Sequence, residues 1–69
     1  MEFTWIDGFS IRVTAENGAV LISANKEGLL SLANHLTALA GQPSGDHFHL
    51  DGYNSLEDGS MELVVEKTA

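Results

Sequence analysis

Cysteine is absent from the 69 residues of the chain. No disulfide can staple it, and no thiolate can hold zinc or attack a substrate, so a cytoplasmic setting fits better than a secreted one. Basic residues are scarce: three Lys and Arg stand against ten Asp and Glu, for a net charge of −7. Such a surface repels phosphate backbones, which argues against nucleic acid as a direct partner and for a basic protein. The plainer explanation of the charge is solubility alone. No apolar run approaches the ~20 residues of a membrane span. The opening MEFTWIDGF lacks the basic flank and long apolar stretch of a secretory signal. Repeats and low-complexity tracts are missing as well. One domain is expected, and a chain this short buries only about 60% of its unfolded surface.

What is present alternates. In FSIRVTA, Phe9, Ile11 and Val13 share one face and Ser10, Arg12 and Thr14 the other, the pattern of a half-buried strand. Asn17-Gly18 is a hairpin turn signal, because both residues tolerate positive φ. AVLISA is then the returning strand, more apolar and expected to be more buried, so residues 9–24 form a hairpin. The preceding EFTWID, within residues 1–8, reads as an extra strand, as an extended arm or as the first half of one long bulged strand.

Residues 25–41 form the one predicted helix. Asn25 can cap it and Glu27 complements its N-terminus. Leu29, Leu32, Ala33, Leu36, Leu39 and Ala40 recur at helical spacing and define the expected core stripe, with Leu36 at its centre. Gly41 is expected to end the helix in a left-handed conformation, with Pro43 preventing continuation.

GDHFHLDGYNSLEDGS follows, with two of the three histidines, four of the ten acids and the only tyrosine. DHFHLD points Phe48 and Leu50 inward, His47 and His49 outward. Asn54 and Glu57 have the spacing of a helix-start capping pair, which predicts one turn of helix in the loop. MELVVEK returns with Met61, Leu63 and Val65 inward, so residues 46–67 form a second hairpin. Aligning Leu50 with Met61 would set Phe48 against Leu63 and His49 against Glu62. The fold expected is a two-layer α+β domain, ββαββ, with the helix on one face of an antiparallel or mixed sheet.

The chemistry on offer is thin. His47 and His49 share a strand face with Asp51 in the same row, a pairing that can chelate a metal. A zinc site wants three or four fixed ligands, and His35 belongs to the helix side. The simpler alternative is two surface histidines. No serine lies in a Gly-x-Ser-x-Gly context and no phosphate-binding glycine loop is present. The acids match no calcium loop. Enzyme and cofactor readings therefore give way to a binding module.

The stretch EGLLSLANHLTALA…GDHFHLD…YNSLEDGSMELVVEK resembles immunity protein family 32, bacterial immunity proteins of polymorphic toxin systems. Gly28, Leu29, Leu30, Leu32, Ala33, His35 and Leu36 carry the likeness on the helix. His47, His49, Leu50, Asp51, Asn54, Leu56, Glu57, Gly59, Ser60, Glu62 and Leu63 carry it afterwards. It covers residues 19–67, leaving MEFTWIDGF outside. The resemblance implies a protein that binds and neutralises a cognate toxin. The expected partner surface is Asp51, Tyr53, Asn54, Glu57 and Asp58 in the loop, with His47, His49 and Glu62 on the adjoining face. Tyr53 is the expected anchor and the acids the steering charges. For each loop residue the competing role is ordinary turn formation. Two other readings stand beside this one: a homodimer joined by edge strands or the uncovered sheet face, and a weak metal binder through His47 and His49.

Overall fold

The computed structural model describes residues 1–69. Strand β1 (Ile11–Glu16) buries Ile11 and Val13 almost completely, as the alternation requires. Asn17 and Gly18 take φ values of 51° and 80°, the pair of positive angles that matches a two-residue turn to the twist of its strands. Strand β2 (Ala19–Ala24) returns antiparallel, with Val13 opposite Ile22 and Ile11 opposite Ala24. Asn25 then starts helix α1 (Lys26–Ala40). Its Oδ1 accepts the N–H of Gly28 at 2.7 Å and that of Ser10 at 3.0 Å, and its Nδ2 donates to the Gly8 carbonyl at 2.9 Å. One side chain thereby caps the helix and fastens the chain entering β1. Strands β3 (His47–Leu50) and β4 (Leu63–Glu66) form the second hairpin, completing a ββαββ order in an α+β fold.

The strands make two separate two-stranded sheets instead of one. The reason lies on the free edge of β1, where an irregular segment sits in place of a strand. Glu57 N–H donates to the Ile11 carbonyl at 2.8 Å and Met61 N–H to the Val13 carbonyl at 2.9 Å. Val13 N–H donates to Ser60 Oγ at 3.1 Å. A serine side chain supplies a bond that a strand's backbone would otherwise supply. Met61 is thus drawn to β1 and is 45% exposed, not inward in the second hairpin. That hairpin pairs Leu50 with Leu63 and Phe48 with Val65, two residues away from the alignment expected from alternation.

The helix buries a different stripe from the leucine-rich one. Gly28, Ser31, His35 and Leu39 are its buried residues. Leu32 packs against the core, but Leu29 is 55% and Leu36 49% exposed, and Ala33 and Ala40 face out. Gly28 explains the rotation. A Cβ there would stand 2.5 Å from the Ser10 carbonyl oxygen and 3.0 Å from Ile11 Cγ1, so glycine brings the helix backbone directly onto β1. Ser31 Oγ accepts the Ile6 N–H at 2.9 Å and donates to the Glu27 carbonyl at 2.8 Å, which satisfies a fully buried hydroxyl.

Residues before β1 form no strand. They run as an arm whose Phe3 and Trp5 enclose His35, with ring centroids 4.1 and 4.2 Å away. Phe48 approaches the same ring edge-on at 5.4 Å. His35 Nδ1 lies 2.6 Å from the Ser31 carbonyl. A carbonyl only accepts, so Nδ1 carries the proton, and the buried Nε2 has no hydrogen-bond partner.

The helix end also departs from expectation. Gly41 has φ −86°, not a left-handed value. Its N–H donates to the Ala38 carbonyl at 3.2 Å, a tightened last turn, and Lys67 Nζ donates to the Ala40 and Gln42 carbonyls at 2.8 and 2.7 Å. Ile11, Val13, Leu39, Phe48, Leu50 and Leu56 make the core. No residue of β2 is in it: the most apolar strand, expected to be the more buried of its hairpin, is exposed almost throughout. Leu39 of the helix, with Leu32 and the arm residues Phe3 and Trp5 partly buried beside it, packs in that core with Ile11 and Val13 of β1.

Candidate functional site

The loop from Asp51 to Ser60 is built by its own polar side chains. Asp51 Oδ1 accepts the N–H groups of Tyr53 and Asn54 at 2.9 and 3.1 Å. The Asp51 carbonyl accepts those of Ser55 and Leu56 at 3.1 and 2.8 Å. Asn54 Oδ1 returns a bond to the Asp51 N–H at 3.0 Å. The reciprocal pair is therefore Asp51 with Asn54, one turn earlier than the expected Asn54 with Glu57, and it closes turns instead of a helical turn. Leu56 is 5% exposed and pins the loop to the core. Tyr53, between these fixed points, is fully exposed and does not fold back over the sheet edge.

Beyond Leu56 the two acids diverge. Glu57 Oε1 accepts from Ser10 Oγ at 2.9 Å, which turns it toward β1. The Asp58 carbonyl accepts from Arg12 Nη1 at 2.9 Å, which holds the backbone and leaves the carboxylate without a hydrogen bond. Asp58 then lines an open depression of about 460 Å³ with Asp51, Tyr53, Ser60 and Glu62. Three carboxylates and one aromatic ring border it, and no basic side chain does.

Glu62 joins this depression to the second hairpin. Its Oε2 lies 3.0 Å from His49 Nδ1, with both side chains about half exposed. The residue directly opposite His49 is Val64, so the contact is the diagonal one and not the head-on pair expected. His47 meets the His49 ring edge-on at 4.9 Å. No group of three or more His, Asp or Glu converges as a metal shell would. Of the eight residues singled out in the sequence, Asp51, Tyr53, Asp58 and Glu62 share one depression. His47 and His49 adjoin it through Glu62, Asn54 braces it from within the loop, and Glu57 lies on the far side of the turn.

The site's field is set by what fails to neutralise it. Arg12 is engaged by a loop carbonyl and Lys67 by the helix end. The one contact between an acid and a titratable nitrogen is Glu62 with His49, so no carboxylate is matched by Lys or Arg. Sequence reasoning missed Ser10, Arg12 and Ser60, which fasten the loop to β1. Their only signal was polarity on the outer face of an alternating strand and at a loop end.

Compared with known families, residues 19–68 match the profile of one described as Immunity protein 32. No curated protein and no solved structure matches the chain.

Proposed function

The chain belongs to the immunity protein 32 family, and on that premise we propose that it neutralises a cognate toxin domain by direct binding, without catalysis. The contact face is Tyr53, Asp58 and Glu62 with His47 and His49 beside them. Asp51 and Asn54 present it and Glu57 flanks it. The observation that carries this reading is Tyr53, fully exposed on a turn locked at both ends and bordered by carboxylates that no Lys or Arg pairs with. A large aromatic on a fixed backbone has only two side-chain torsions to lose on burial and suits an interface anchor. These acids suit a basic toxin surface and act mainly on the rate of encounter. The cytoplasm is the compartment this implies.

The test is binding kinetics against the toxin encoded beside the gene, with circular dichroism as a folding check. Asp58→Lys combined with Glu57→Lys should slow association. Rising salt should do the same to the unaltered chain, as screening shortens the reach of charge to about 8–10 Å. Tyr53→Ala should act through faster dissociation. Unchanged rates in both folded variants and across the salt series would remove this face from the interaction.

A further inference from the structure

We propose that the free edge of β2 pairs antiparallel with β2 of a second copy, making a four-stranded sheet across a two-fold axis. The pairing of β1 with β2 leaves one row of backbone groups in each strand pointing away from the hairpin. The row on β1, at Ile11 and Val13, is bonded by Glu57, Ser60 and Met61. The corresponding row on β2, at Val20 and Ile22, bonds to nothing. Edges left open in this way are normally protected by charge, proline or a bulge. Ala19–Ala24 has none of these, and Val20, Leu21 and Ile22 are 65%, 43% and 41% exposed.

The occupant follows from the chemistry. An open row of donors and acceptors is satisfied by another strand, and a two-fold axis supplies an identical row in the opposite direction. The register that sets Val20 against Ile22 of the other copy joins outward-pointing residues and places Leu21 against its own counterpart on the axis. Each copy carries a net charge of −7, but the strand residues that pair in this register, Ala19–Ser23, carry none. Antiparallel order also brings the Glu16 end of one copy toward the Lys26 end of the other, and Lys26 is the one basic side chain without an internal bond. The surface area points the same way. The chain exposes 4549 Å², above the roughly 4200 Å² expected of a folded monomer of its mass. The contact is about 20 Å long, short of a standard interface of about 800 Å² per partner, so the dimer should dissociate on dilution. The toxin-facing loop lies along the opposite edge of the hairpin, so the two surfaces are independent.

The experiment is sedimentation equilibrium of the full chain from micromolar to millimolar concentration, with Val20→Lys, Leu29→Lys, Leu21→Cys and Ile22→Cys variants checked by circular dichroism. The unaltered chain and Leu29→Lys should approach twice the monomer mass, and Val20→Lys should remain a monomer. In this cysteine-free background Leu21→Cys should form a covalent dimer on mild oxidation, whereas Ile22→Cys should not. A monomer throughout the range overturns the proposal. So does a dimer that survives Val20→Lys, or one in which Leu21→Cys fails to cross-link. If the chain stays monomeric and Val20→Lys instead abolishes toxin binding, the edge belongs to the toxin and the pairing of copies is wrong.

Discussion

The His35 ring stacks on Phe3 with centroids 4.1 Å apart and planes 9° from parallel. This pair joins the middle of the helix to the first residues of the chain and gives the N-terminal arm a structural duty. His35→Ala should cost about 3–5 kcal/mol, the range for emptying a large aromatic site. His35→Phe should cost less, because it keeps the stack and loses only the bond to the Ser31 carbonyl. Urea unfolding of both variants measures the difference. Equal losses would mean that the bond, not the stack, holds the arm.

Leu39 and Leu36 offer a second contrast. Leu39 is 4% exposed and Leu36 49%. Leu39→Ala should lose about 2–5 kcal/mol, whereas Leu36→Ala should stay near the ~0.5 kcal/mol typical of surface changes. The denaturation midpoints of the two variants decide it, and a larger shift for Leu36 would mean the helix is rotated from the position described.

Alternation and turn chemistry made both hairpins legible in the sequence, and the Asn17-Gly18 turn has the expected backbone. The helix face was not legible from hydrophobicity, because Gly28, Ser31 and His35 occupy three of its four buried positions. Each is there for a reason that a hydropathy pattern does not record: close approach to β1, a satisfied hydroxyl, and a ring among rings. The second register was obscured because Met61 continues the alternation of β4 yet bonds to β1. In the loop, the spacing of Asn54 and Glu57 suggested a cap, but Asp51 was better placed to accept the N–H groups of the turn.

Gly28→Ala should destabilise despite alanine's intrinsic advantage of about 1 kcal/mol in a helix. The added Cβ meets a backbone carbonyl at 2.5 Å, and that oxygen also accepts the Asn25 N–H at 3.1 Å, so it cannot move freely. Thermal unfolding should show a lower midpoint. A higher one would indicate that the helix tilts away from β1 at little cost.

Asp51→Ala and Tyr53→Ala should separate scaffold from surface. Removing the Asp51 carboxylate leaves the Tyr53 and Asn54 N–H donors without their acceptor and should lower stability by about 1 kcal/mol for the lost bonds. Tyr53→Ala should leave stability unchanged, since its ring is fully exposed to solvent. Unfolding curves at neutral pH test the pair, and a destabilised Tyr53→Ala would show that the ring packs in solution.

The bonds from Glu57 and Met61 to β1 have a consequence for biosynthesis. Residues more than forty positions apart must meet before the first hairpin has its β1 edge settled. Contacts so distant in sequence form late. On the ribosome the first hairpin and the helix emerge while the segment that closes β1 is still being made. Until that segment has emerged the nascent domain carries two open edges, and it is then that it is most exposed to pairing with other chains.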